Sequence, residues 1–100
     1  MKAVWNDHVI AEAPKSALIY IEGNWYFPPS AVRHQFLRKS DTPYVCSWKG
    51  VCQYFDVGEG TQWDADSAWS YPNLVPGATA KVKKDFSNYV AFWRTVQVTD

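Results

Sequence analysis

Six tryptophans, six tyrosines and five phenylalanines have to find places in a chain of 100 residues, and no other feature constrains the fold as much. Each such side chain buries about 150–250 Å², and Trp and Tyr also carry a polar group that needs a partner once buried. A chain of this length buries roughly 65% of the surface its unfolded form exposes, enough for one small core but not two. The core is therefore expected to be aromatic, within a single domain spanning residues 1–100. Hydrophobic residues at 47% and charged residues at 20% are a globular composition and exclude disorder. Ten basic residues balance ten acidic ones, which disfavours bulk attraction to nucleic acid or to anionic lipid. No stretch approaches the roughly 18 apolar residues of a membrane span, and Met1–Asp7 has no apolar leader segment, so no membrane contact and a cytoplasmic location are expected. Cys46 and Cys52 are too few to staple a secreted scaffold and are not spaced as C-x-x-C, so both read as reduced thiols.

Turn chemistry divides the chain into short β-segments. Lys2–Trp5 and His8–Ala11 flank Asn6-Asp7, two residues that tolerate positive φ and so suit a tight hairpin. Ser16–Glu22 alternates, with Ala17, Ile19 and Ile21 on one face and Leu18, Tyr20 and Glu22 on the other. Gly23-Asn24 is expected to turn the chain into Trp25-Tyr26-Phe27, which Pro28-Pro29 ends. Ser30–Leu37 has Val32, Phe36 and Leu37 at helical spacing and predicts a short helix. A central hairpin is expected from Tyr44–Trp48 and Val51–Val57 about a Lys49-Gly50 turn, a register that points Cys46 and Cys52 to opposite sides of the sheet and precludes a disulfide. Gly58-Glu59-Gly60 predicts another turn, Gln62–Ser67 a polar loop and Ala68–Tyr71 a strand. Gly77–Lys84 predicts a helical turn or two, with Tyr89–Trp93 and Val96–Val98 as final strands.

Four ordered motifs, Glu22-Gly23-Asn24-Trp25-Tyr26-Phe27-Pro28, Cys46-Ser47-Trp48-Lys49-Gly50, Ala68-Trp69-Ser70-Tyr71-Pro72 and Tyr89-Val90-Ala91-Phe92-Trp93, resemble the motif series of the family called domain of unknown function 427. The resemblance runs from Val4 to Val98, and the family also carries a nucleotidyltransferase label. It implies a mainly β fold, a small antiparallel half-open barrel of the β-tent type with one or two short helices. Other folds of that type include methionine sulfoxide reductase B and formaldehyde-activating enzymes, which often hold zinc through cysteine pairs. No such pairs exist here, so neither zinc nor another cofactor is carried over. The family positions correspond to Glu22, Tyr26, Pro28, Cys46, Lys49, Gly50, Tyr54, Trp69, Tyr71, Pro72, Tyr89 and Phe92. Cys52 departs from the pattern, which has a small residue such as alanine there, and this favours Cys46 as the functional thiol.

Each candidate for chemistry has a structural alternative. Glu22 lies beside Trp25, Tyr26 and Phe27, where desolvation would suit a carboxylate to proton transfer; alternatively it accepts hydrogen bonds from the amides of its turn. Cys46 precedes Lys49 by three residues, and a nearby ammonium favours the thiolate of a nucleophile; buried cysteines are more commonly inert packing. Lys49 is either an anion-binding group supported by the Gly50 amide or a solubilising residue at a hairpin tip. Asp64 and Asp66 read as solvated loop charges rather than a metal pair, and His8 and His34 lie too far apart in sequence to suggest a metal site. The basic clusters Arg33 with Arg38 and Lys81-Lys83-Lys84 read as solvated faces. Tyr26, Tyr54, Trp69, Tyr71 and Tyr89 either form the core or line a concave pocket in which Glu22 and Lys49 fix a ligand. The leading functional expectation is a small domain whose aromatic pocket binds or transforms a small polar ligand. A non-catalytic protein-interaction module and the family's nucleotidyltransferase label are the alternatives.

Overall fold

The computed structural model describes residues 1–100. In chain order its elements are β1 (Lys2–Trp5), β2 (His8–Glu12), β3 (Ile19–Ile21), β4 (Asn24–Tyr26), β5 (Leu37–Lys39), β6 (Val45–Cys46), β7 (Gly50–Val51), β8 (Gln53–Glu59), β9 (Gln62–Ser70), α1 (Ala78–Val82), β10 (Val90–Phe92) and β11 (Gln97–Thr99). Local chemistry explains the first hairpin. Asn6 and Asp7 take φ of 46° and 65°, as a two-residue type I′ turn requires, and Trp5 then faces His8 across the ladder. β11 pairs with the other side of β1, so the first sheet has the order β11-β1-β2. A second, four-stranded sheet has the order β10-β9-β8-β5, and the hairpins β3-β4 and β6-β7 complete a mainly β domain of antiparallel sheets without a closed barrel. Single bridges tie the pieces together: Phe27 and Val90 exchange both backbone hydrogen bonds at 2.8 and 2.9 Å, and the Arg33 N–H donates to the Ile10 carbonyl at 2.8 Å.

Four expectations are corrected. The strand expected over Ser16–Glu22 starts at Ile19, after a 3-10 turn at Lys15–Ala17, and its hairpin turns on Glu22-Gly23 rather than Gly23-Asn24, because Asn24 pairs with Ile21. Ser30–Leu37 forms 3-10 turns at Pro29–Ala31 and His34–Phe36, since Val32 extends to bridge Ala11 and breaks the helical run. The central hairpin turns through Ser47-Trp48-Lys49, which pairs Cys46 with Gly50 and Val45 with Val51. Both cysteines consequently pack on the same aromatic cluster, as free thiols. Finally, Gln62–Ser67 belongs to the long strand β9. Its register against β8 shifts between Phe55↔Ala68 and Val57↔Asp64, a bulge in which Asp66 takes φ 51° and donates its N–H to the Asp56 carboxylate at 3.1 Å.

Strand alternation divides the apolar residues between two clusters rather than one core. Val90 and Phe92 of β10 and Ala68 of β9 join Trp5, Ile10, Phe27, Val57 and Val96 in a cluster of 12 buried residues. Ala91 and Trp69, their immediate neighbours in sequence, face the other way and join Ile19, Ile21, Tyr26, Tyr71 and Phe86 in a cluster of 9. The four-stranded sheet is thus buried on both faces, aliphatic and phenylalanine-rich on one, rich in Tyr and Trp on the other.

Candidate functional site

Polar handles determine how the second cluster packs. Tyr26 is 1% exposed and its hydroxyl accepts a hydrogen bond from Trp69 Nε1 at 3.0 Å, so a pair that would otherwise bury two unpaired polar atoms satisfies itself. Their rings meet edge to face at 6.2 Å, and Phe86 meets Tyr26 and Tyr71 in the same way. Above this floor the packing opens into a cavity of about 350 Å³, lined by Glu22, Asn24, Tyr26, Tyr44, Lys49, Tyr54, Trp69, Tyr71 and Trp93. Its size falls at the lower end of the roughly 300–1,000 Å³ typical of small-molecule sites.

Lys49 does not lie at a solvated hairpin tip. It is 6% exposed, turned inward by a loop whose geometry its neighbours fix. The Val75 N–H donates to the Lys49 carbonyl at 3.0 Å, and Gly50 takes φ 126° with its Cα so close to the Asn73 carbonyl that a Cβ would approach to 2.7 Å. Only glycine fits there. The ammonium forms an ion pair with Glu22 and lies 4.9 Å from the Trp48 ring and 5.3 Å from the Tyr71 ring. Burial works to push the Lys49 pKa down, but the Glu22 hydrogen bond, with the charges of Tyr26, Glu22 and Cys46, outweighs it and holds the value above the ordinary one.

Glu22 reaches this ion pair from an unusual position. Its side chain is 58% exposed, not buried among Trp25, Tyr26 and Phe27, and its carboxylate is met by Lys49. With Gly23 it forms the β3-β4 turn, at φ 50° and 87°. A left-handed conformation costs a non-glycine residue about 1–2 kcal/mol, least for Asn and Asp, so local preference does not account for a glutamate here.

The structure brings six of the residues picked out from sequence, Glu22, Lys49, Tyr26, Tyr54, Trp69 and Tyr71, to one cavity. Cys46 and Tyr89 pack against the same cluster but do not line it. Burial raises the hydroxyl pKa values of Tyr26, Tyr54 and Tyr71, and pushes the Cys52 thiol up to about 11. Asn24, Tyr44 and Trp93 were not legible as site residues. Trp93 reaches the rim because the β9 bulge offers it two acceptors: its backbone N–H donates to Ser67 at 3.1 Å and its Nε1 to the Asp66 carbonyl at 2.6 Å. It stacks on Tyr54 at 6.4 Å with 13° between the ring planes. Asp64 and Asp66 lie in β9 rather than a loop, with Asp64 accepting from Trp5 Nε1 at 2.7 Å and Thr95 at 2.8 Å, and Asp66 from Thr42 at 2.7 Å.

No group of three or more His, Cys, Asp or Glu side chains is placed to hold a metal ion. No helix is long and apolar enough to cross a membrane. Among curated proteins none matches the chain significantly. A family model, NTP_transf_9, described as domain of unknown function (DUF427), matches residues 1–99, and the chain therefore belongs to the DUF427 family.

Proposed function

We propose that this domain binds a small planar, polar ligand in the aromatic cavity. The observation that carries the reading is the convergence of the Glu22–Lys49 ion pair with six aromatic side chains on one cavity of about 350 Å³. Tyr and Trp faces stack on a ring and their edges donate hydrogen bonds, while a buried charge fixes its orientation. Glu22 is the group that would exchange a proton with a bound ligand if the site is catalytic, because it is the only carboxylate on the wall. The sheets around the cavity are read as the half-open barrel that the family resemblance implies, with the ligand at its open end.

The name of the family model raises nucleotidyl transfer. Lys49 is the single cation on the cavity wall and is already paired, a charge arrangement that suits one anionic group better than a triphosphate. Incubation with labelled nucleoside triphosphates and Mg²⁺ tests that label, and transfer of label to an acceptor would displace the binding reading. A second reading, a protein-interaction module, is favoured by the exposed Tyr44 and Trp93 on the cavity wall and the exposed pair Val45 and Val51 on the neighbouring β6-β7 hairpin. Loss of a defined partner from a Val45→Ser, Val51→Ser double variant would support it.

Thermal melts and tryptophan fluorescence against a panel of heteroaromatic acids, amides and nucleosides test the primary reading. A ligand at 100 times its Kd raises stability by about 2.7 kcal/mol, and Trp69→Leu is expected to abolish that response. A panel that produces neither a shift nor quenching contradicts it.

A further inference from the structure

We propose that Glu22 is a displaceable internal counter-ion, and that the ligand of the cavity is a planar molecule whose single anionic group takes the place of Glu22 on Lys49. The inference rests on reading the cavity as a ligand site. Lys49 is almost fully buried and Glu22 is its one salt-bridge partner. An ammonium in that position needs an anion at all times, since an uncompensated buried charge is strongly unfavourable. Its partner is the mobile half of the pair. Glu22 is more than half exposed at the tip of a hairpin whose strands are three residues each, so its carboxylate reaches water by rotating its side chain outward. Exchange of one anion for another leaves the charge on the cavity wall balanced.

The turn itself points the same way. The Asn6-Asp7 turn of the first hairpin uses residues suited to positive φ, whereas the second places glutamate at φ 50°. A residue that departs from local preference points to something its side chain does elsewhere. Here that is the ion pair with Lys49. Tyr54 and Trp93, nearly parallel to each other, and the edge-to-face pair Tyr26 and Trp69 line the same cavity as Glu22, so a planar ligand that takes its place on Lys49 meets aromatic walls.

Glu22→Asn separates the possibilities, because asparagine suits the left-handed turn and preserves the hairpin. Wild type, Glu22→Asn and the Glu22→Asn, Lys49→Met double variant would be melted in chloride, acetate, benzoate and inorganic phosphate at matched ionic strength. The expected result is that Glu22→Asn melts lowest in chloride, regains wild-type stability in benzoate, and binds benzoate about tenfold tighter than wild type, whose ion pair competes. The double variant responds to none of the anions. Weaker or equal benzoate binding by Glu22→Asn overturns displacement, even where tryptophan quenching shows that the cavity itself is occupied. Equal rescue by acetate, phosphate and benzoate overturns the planar ligand instead, since the aromatic walls then contribute nothing.

Discussion

Two faces of one four-stranded sheet bury clusters that differ in kind. Under one face, Phe27, Val57, Val90, Phe92 and their neighbours fill space with groups that need no partners, apart from Trp5, which donates its Nε1–H to Asp64, and the packing closes. Under the other, Tyr26, Trp69 and Tyr71 each bring a polar atom, and the packing ends in a cavity whose wall carries the ion pair of buried Lys49 with exposed Glu22. Neighbouring residues of a strand serve opposite clusters: Tyr26 and Phe27, Ala68 and Trp69, Val90 and Ala91. An aromatic side chain with a polar handle is therefore a poorer space-filler and a better wall. The closed cluster is therefore expected to carry more of the stability, and the proposed ligand site belongs to the open one.

The largest effect that sharpens this contrast is on stability. Phe27→Ala, at a site with no exposure, is expected to cost about 3–5 kcal/mol in a urea melt. Trp93→Ala, at the rim, is expected to cost no more than about 1 kcal/mol while removing most ligand-dependent quenching. Similar losses at the two sites would break the distinction. Next in size is the ion pair. Glu22→Asn leaves a buried ammonium unpaired and is expected to cost about 1–3 kcal/mol, whereas Lys49→Met leaves Glu22 in water and is expected to cost less. The reverse order would place the destabilising group on the wrong partner.

Titration separates the clusters by the sign of their response. Lys49, Tyr26, Tyr71 and Cys52 all have folded-state pKa values above their ordinary ones. Their contributions are complete below the unfolded values and are lost as pH rises through the folded ones. The open cluster should therefore loosen in alkali, beginning above about pH 9, the ordinary value of the Cys52 thiol, and continuing past its folded value of about 11. Asp64, held by Trp5 and Thr95, has a lowered pKa, so its contribution is present above 3.8 and lost as pH falls through the folded value. Acid should first disturb Trp5 and alkali the Tyr26–Trp69 pair, which indole N–H resonances followed across pH would report. Concerted loss of all indole signals at both extremes would contradict a division. The smallest effect is on thiol chemistry. Iodoacetamide at neutral pH is expected to label half-buried Cys46 at least about tenfold faster than Cys52, whose thiol burial keeps protonated.

Sequence patterns reached the fold wherever local chemistry acts alone. Asn6-Asp7, the Pro28-Pro29 stop, α1 and the last two strands are dictated within a few residues. The failures lie where distant backbone decides the outcome. Gly50 looks like a turn glycine, but it pairs with Cys46 in the ladder, where the Asn73 carbonyl leaves no room for a Cβ, so Lys49 closes a Ser47-Trp48-Lys49 turn that is packed against the cavity instead of forming a solvated tip. Asp64-Ala65-Asp66-Ser67 looks like a loop, but Asp56 on the neighbouring strand caps its bulge, and that bulge positions Trp93. Five cavity residues, Glu22, Tyr26, Lys49, Trp69 and Tyr71, are visible because they lie in the quoted motifs, and Tyr54 because it corresponds to a family position outside them. Asn24 lies inside one such motif but reads as part of a turn, and Tyr44 reaches the cavity from the segment before β6 with no local signal to announce it.

Indole ¹H–¹⁵N spectra of the wild-type domain during titration with benzoate test the central claim most directly, because tryptophans lie on both sides of the sheet. The account predicts that the Trp69 and Trp93 signals move with one saturating curve while Trp5 and Trp63 stay in place. Movement of Trp5 with the others, or no movement at any indole, would contradict an anion-accepting cavity confined to the open cluster.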